Sequence, residues 1–351
     1  MYSLGGYDAL RIHIENRDTE IEEASMPKVK EPKISESENI GLLLQGIKAL
    51  GGKPSVAMEN LATSAAKTSA KNTIFWPDGV EDQVKAAVMS KSHTLLFGPP
   101  GTGKSSMARY ILEEQGIPYE RVQYHRDMDA QDHIGSVSVK ESNGASVTDI
   151  VWSPNIEAME LGHAIVGDEF DTLNPATSFP LFAQLDDSPF ITVQCNGVSR
   201  YLEKHPNFFL IATSNTNMTG DDGGNFAGTD IQNEALVDRF PFMIKVDYIN
   251  ADQEFKLVGP RVEIEQSVLK GMIATASATR SAAAAGSCTP ISTRRILAWA
   301  EAYQALEKSG VRKAHLIKIS AEMAILSRSP DEGYRAAIET FMHDAGFTWS
   351  K

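Results

Sequence analysis

Residues 93–109 read HTLLFGPPGTGKSSMAR, and the rest of the chain is organised around them. Residues 94–97 form a short apolar run of the kind that makes a buried parallel strand. Gly98, Gly101 and Gly103 break it, and a helix-forming run starts at Lys104. Strand, glycine loop and helix in that order are the context a phosphate-binding loop requires, and the spacing G-x-x-x-x-G-K-S is met in full. The loop comprises Gly98, Pro99, Pro100, Gly101, Thr102, Gly103, Lys104, Ser105 and Ser106. Its N–H groups are expected to turn inward, where the helix N-terminus adds positive potential for a triphosphate. Lys104 is expected to reach the β- and γ-phosphates, and the Ser105 hydroxyl to ligate Mg²⁺.

The chain has 351 residues, more than one typical domain, and with 42% hydrophobic residues it can bury a substantial core. Its formal net charge of −13 counts against non-specific attraction to nucleic acid phosphates. Cys195 and Cys288 lie far apart without metal-type spacing, which points to a reducing compartment. No apolar run approaches the roughly 18 residues of a membrane span, and no charged-then-apolar leader opens the chain. A soluble, cytoplasmic protein that contacts no membrane is the expectation.

Residues 1–70 differ in character from the rest. Acidic runs and a Pro/Lys/Ser segment offer too little apolar surface to offset ordering entropy, so they read as an arm and linker. Within them, residues 40–50 place Ile40, Leu43, Leu44, Ile47 and Leu50 at helical spacing. That short amphipathic helix could dock on a neighbour or on its own domain.

Residues 71–250 read as an α/β nucleotide-binding domain. Its strand candidates, 94–97, 121–124, 164–167, 208–213 and 242–246, are separated in several cases by helical stretches, which argues for a five-stranded parallel sheet between helices. Two Asn-Gly pairs, in 143–144 and 196–197, each lie between β-prone runs and predict hairpins projecting from that sheet. Residues 251–351 lose the strand pattern. Helical runs at 263–285, 293–306, 313–327 and 332–343 predict a helical second domain.

The run HAIVGDEFD puts Asp168 and Glu169 at the end of a buried strand, at the carboxyl edge where parallel sheets bind ligands. Asp168 is expected to hold Mg²⁺, directly or through water, and Glu169 to polarise an attacking water. Asp171 is either a third acid or a cap for the next helix. The run FFLIATSNT is a further buried strand, after which Asn215 is placed to orient the water or touch the γ-phosphate; turn chemistry explains the same residue equally simply. His125, Asp127, Asp129, Asp132 and His133 invite a metal reading, but no cysteine and no i, i+4 histidine pair supports it.

Loop, Asp-Glu strand, Asn strand, then VDRF at 237–240 and STRR at 292–295 follow in the order of an AAA+ ATPase. With DEFD at 168–171, GDDGGNFAGTDIQN at 220–233 and ISTRRILAWAE at 291–301, the chain resembles the MoxR-like branch. Within it, the resemblance is greatest to the small ATPase subunit of aerobic cobaltochelatases. It covers about residue 75 to near the C-terminus, and the N-terminal arm departs from the family pattern.

The resemblance implies an AAA+ core with a C-terminal helical lid, ATP and Mg²⁺ as ligands, and ATP hydrolysis by a homo-hexameric ring. Asn215 then matches sensor 1, Arg239 the arginine finger that enters the neighbouring subunit's nucleotide site, and Arg294 sensor 2. A guanidinium suits both arginine roles because it keeps its charge and neutralises a transferring phosphoryl group. Phe75, Trp76 and Pro77 fall where the family grips the base, and the hairpins fall where related motors face a central pore, with residues 140–145 as the pore-loop candidate. The expected activity is remodelling or activation of a partner protein, often one with a von Willebrand A-type domain. Three alternatives stay open: the ATPase subunit of a cobaltochelatase in corrinoid synthesis, a nucleic-acid motor, and a nucleotide-dependent assembly module with little turnover.

Overall fold

The computed structural model describes residues 74–142, 145–195, 198–220, 229–283, 288–329 and 332–349. The expected arm at 1–70 with its helix at 40–50, the turn residues of both hairpins and residues 221–228 lie outside the described residues.

From the N-terminal side the order is α1 (Val80–Met89), β1 (Thr94–Phe97), α2 (Lys104–Glu114), β2 (Tyr119–Gln123), α3 (Ala130–Ile134), β3 (Gly135–Ser142), β4 (Ala145–Trp152) and α4 (Pro154–Leu161). There follow β5 (Ala164–Asp168), α5 (Phe179–Leu185), β6 (Phe190–Cys195), β7 (Val198–Glu203), β8 (Phe209–Ser214), α6 (Glu234–Val237) and β9 (Phe242–Lys245). The C-terminal part is helical: α7 (Ala251–Val258), α8 (Gln266–Ala283), α9 (Thr293–Lys308), α10 (Lys313–Ala324) and α11 (Glu332–Asp344).

The central sheet has five parallel strands in the order β2-β5-β8-β1-β9. Successive side chains on a strand point to opposite faces, so a sheet covered on both sides needs apolar residues at every position. The three inner strands, β5, β8 and β1, meet that demand over most of their length, whereas the edge strands β2 and β9 each bury one residue. Leu95, Ile165, Leu210 and Ala212 enter one core with Ile156 and Met159 of α4 and Leu181 of α5. Their neighbours Leu96, Val166, Phe209 and Ile211 enter the other with Val84 and Val88 of α1 and Met107 and Ile111 of α2. The two hairpins, β3-β4 and β6-β7, form separate two-stranded antiparallel sheets, as the Asn-Gly pairs predict.

The helical part has its own core around Trp299, which is fully buried and donates its indole N–H to Ser320 Oγ at 3.1 Å. Two caps fix its geometry where it meets the sheet. Asn250 and Gln253 form a reciprocal capping box at α7, and Ser292 Oγ accepts from Arg295 N at the start of α9.

Tyr124 is wholly buried behind β5, in edge contact with Phe170 at 4.9 Å and tied by its hydroxyl to Asn155 Oδ1 at 3.1 Å. A Cβ on Gly167 would lie 2.6 Å from its ring and 3.1 Å from Leu210 Cδ1. The ring is held on two sides and has nowhere to go. Gly167→Val is therefore expected to lower the unfolding free energy by about 1–3 kcal/mol, checked by urea denaturation.

Candidate functional site

The parallel register ends three strands at one edge. Phe97 of β1 pairs with Ser214 of β8, and Gly167 of β5 pairs with Ala212, so the glycine loop, Asp168 and Asn215 emerge side by side. Gly98, Gly101 and Gly103 all take positive φ, at 144°, 77° and 96°. At Gly98 a Cβ would stand 2.3 Å from the Val246 carbonyl oxygen, and at Gly101 one would stand 2.7 Å from Ser292 Cβ. The loop thus needs glycine at both points for close packing as well as for its turn. Gly103 is the N-cap of α2 with no capping side chain, which leaves first-turn N–H groups to an anion.

Lys104 is buried. Its ammonium donates to the carbonyls of Gly98 at 2.7 Å and Pro99 at 2.9 Å and to Asn215 Oδ1 at 3.3 Å. Burial is the main cause that pushes its pKa down to about 8. Arg294 adds to the fall, whereas Asp171 and Asp168 oppose it. Lys104 and Asn215 are therefore in direct contact.

Asp168 is buried at the end of β5, with Oδ1 accepting from Thr213 Oγ1 at 3.1 Å and Oδ2 from Arg121 Nε at 2.7 Å. Glu169 has φ +56°, a left-handed conformation that costs a non-glycine residue about 1–2 kcal/mol. Thr172 holds it there, its N–H and hydroxyl both donating to the Glu169 carbonyl at 3.0 and 2.7 Å. The kink turns the exposed Glu169 carboxylate toward β2, where Gln123 Nε2 donates to it at 2.9 Å. In this arrangement the glutamate leans away from the loop.

Asp171 is neither a helix cap nor an outward-facing third acid. Fully buried, its Oδ2 accepts from the backbone N–H of Asn215 at 3.0 Å and of Thr216 at 3.1 Å, and from the Thr216 hydroxyl at 3.2 Å. It fixes the loop that presents Asn215.

A cavity of about 1400 Å³ runs between the glycine loop and the helical part, with Gly98 to Gly101, Asn215 and Arg294 on its wall. Asp168 and Glu169 are off that wall, their carboxylates engaged by Thr213, Arg121 and Gln123. Lys245 and Arg280, also on the wall, are ion-paired with Asp247 and Glu254. Arg294, Arg295 and Arg328 have no carboxylate within ion-pair distance among the described residues, so an acidic chain turns a basic wall toward its cavity. Arg294 is exposed there, whereas Arg295 donates to the Ala324 carbonyl at 3.4 Å.

Arg239 lies elsewhere. Its guanidinium donates to the carbonyls of Phe182, at 3.0 Å, and Ala235, and sits 4.9 Å from the Phe182 ring centroid, away from its own chain's cavity. Trp76 packs edge-on against Tyr110 in the sheet core, and neither it nor Phe75 or Pro77 lines the cavity. Of the His/Asp cluster, Asp129 and Asp132 form the capping box of α3 and His133 is buried against Tyr124. No three His, Cys, Asp or Glu side chains converge on one point among the described residues.

Sequence reasoning missed Gln123, Thr213 and Arg121, which hold the two acids. The alternation of Arg121 and Gln123 on one face of β2 is their only local trace.

Residues 93–240 match the family model of the AAA domain, dynein-related subfamily. Over 224 residues the chain is 28% identical to the aerobic cobaltochelatase subunit CobS of Sinorhizobium sp, covering 62% of this chain and 67% of that protein. It is 32% identical over 194 residues to an uncharacterised protein of Staphylococcus aureus, covering 55% of this chain and 67% of that one. Among solved structures, the RuvB Holliday junction branch migration motor of Thermotoga maritima is similar over 73% of this chain and 69% of that one, at 14% identity and a TM-score of 0.44. The chain belongs to the AAA+ family and is of its CobS-like, MoxR-like type.

Asp171 gives a direct test. Asp171→Ala would remove the acceptor of two part-buried backbone N–H groups, of which that of Thr216 keeps Ser214 Oγ at 3.1 Å, so it should lower the unfolding free energy by about 1–2 kcal/mol and speed hydrogen exchange at the Asn215 and Thr216 amides, most at Asn215. Unchanged exchange at those amides would contradict this account of the loop.

Proposed function

We propose that the protein is an ATP-hydrolysing ring motor that remodels or activates a partner protein. The observation that carries this reading is the contact of Lys104 with both its own glycine loop and Asn215, at the edge where Asp168 and Glu169 also emerge. On this reading a triphosphate lies on the loop with its β- and γ-phosphates toward α2. Lys104 then exchanges its carbonyl partners for phosphate oxygens, a stronger charge-assisted pairing.

Ser105 and Asp168 would hold the magnesium ion of the nucleotide. Each Asp168 oxygen accepts one hydrogen bond, from Thr213 or Arg121, and a carboxylate offers about four acceptor sites, so capacity remains. Hard oxygen donors plus substrate phosphates are the set magnesium prefers, and the bound ion would neutralise charge on the phosphates. Glu169 orients the attacking water once its carboxylate leaves Gln123, and Asn215 fixes that water or the γ-phosphate. Arg294 neutralises charge from the lid side. Arg239 faces away from its own cavity, which supports a role at the site of a neighbouring copy, so turnover requires a ring, a homo-hexamer by family resemblance.

The similarity to the cobaltochelatase subunit supports a narrower reading, an ATPase that drives a metal-inserting chelatase through a larger partner. A partner with a von Willebrand A-type domain fits the same branch.

Two measurements test the motor. Steady-state ATPase rates of Glu169→Gln and Arg239→Ala should each fall by about a hundredfold or more, and wild-type turnover in both would remove the mechanism. The second uses Lys104. A triphosphate binds best to the ammonium form, and with a pKa of about 8 in the free protein the lysine loses its proton as pH rises through that value. ATP affinity should therefore weaken by roughly tenfold between about pH 7.5 and about pH 9.5, read by fluorescent-nucleotide titration. Affinity independent of pH over that range would contradict the assignment.

A further inference from the structure

A buried polar cluster links the loop to the lid. Glu254 of α7 is fully buried, yet both its oxygens are satisfied. Oε1 accepts from Arg280 Nη2 at 2.8 Å and from the Thr293 hydroxyl at 2.6 Å, and Oε2 accepts from Arg280 Nη1 at 3.1 Å. Arg280 of α8 also donates Nε to the Ile291 carbonyl at 2.9 Å, and its guanidinium lies 3.9 Å from the centroid of the Tyr248 ring. Tyr248, between β9 and α7, donates its hydroxyl to the Pro100 carbonyl of the glycine loop at 3.2 Å. At the far end Thr293 is the first residue of α9, directly before Arg294. Ser292, the cap of that helix, packs where Gly101 has no side chain.

The chain of contacts therefore runs from Pro100 through Tyr248, Arg280 and Glu254 to Thr293. A buried ion pair is a weak source of net stability, since apolar side chains of like volume usually do as well. What this one supplies is direction: a planar fork engages a carboxylate with two N–H groups, a carbonyl with a third and a ring with its face, and lysine cannot reproduce that geometry.

We propose that Glu254 and Arg280 are positioning residues that hold the glycine loop and the first turn of α9 in one register, so that Arg294 is aimed at the phosphates the loop cradles. This rests on the reading of the cavity as an ATP site. Arg294 has a long, exposed side chain whose aim is inherited from the backbone at the helix start. A misplacement of about 1 Å there can cost on the order of a hundredfold in rate.

The test is steady-state ATP hydrolysis by the full-length assembled protein carrying R280K, T293V, R294A and the double variants R280K/R294A and T293V/R294A. R280K and T293V are expected to lower kcat by about tenfold or more while KM for ATP stays within about threefold. Each double variant should be no slower than R294A alone, because the two residues act through the same arginine. Multiplied losses in the double variants, or a raised KM with unchanged kcat, would overturn the proposal. T293V removes one hydroxyl and leaves the ion pair in place, so it decides the matter if R280K does not fold. A wild-type protein that does not hydrolyse ATP would bring down the ATP reading and this proposal together; a hydrolysing wild type with multiplicative variants would bring down this proposal alone.

Discussion

The site depends on the register of three parallel strands. Because Phe97 stands beside Ser214 and Gly167 beside Ala212, the glycine loop, the buried aspartate and the asparagine loop leave the sheet at one level. A slip of one residue in β5 would turn Asp168 from the edge into the apolar face that now holds Ile165, and would put Gly167 where Tyr124 needs no neighbour. The doubly apolar strands make that slip expensive. The chemistry of the edge is therefore secured by the apolar core residues of the same strands.

Around that edge the polar residues hold one another in place. Asp171 clamps the backbone that presents Asn215, Thr172 fixes the strained turn at Glu169, and Gln123 catches the carboxylate that the turn throws outward. Each of these groups serves another side chain's position. The left-handed glutamate is a non-glycine residue kept at a cost, and such residues persist where the surrounding bonds over-determine them.

The strand-loop-helix order at residues 94–114, the placement of Asp168 at a strand end and most of the fold are legible from local pattern. β1 occupies residues 94–97 as the apolar run indicates, and both Asn-Gly pairs lie between paired strands. β2 was harder to read: it begins at Tyr119, two residues before the apolar signal suggests, because at the sheet edge only Val122 of the strand is buried. The expected single helix over 313–327 ends instead at Ala324 and continues as a 3₁₀ turn, Leu326–Arg328. Least legible were contacts between distant residues. Nothing local to Gln123 announces Glu169, and nothing in the alanine-rich stretch around Arg280 announces Glu254, since both pairings follow from register and helix packing.

The central claim is that this strand edge receives a triphosphate through Lys104. Calorimetric titration of ATP with magnesium into the wild-type protein and into Lys104→Ala tests it most directly. The account predicts one binding event per chain, weakened by at least about tenfold in the variant, the worth of a lost charge-assisted hydrogen bond. Equal affinities in the two proteins would contradict it.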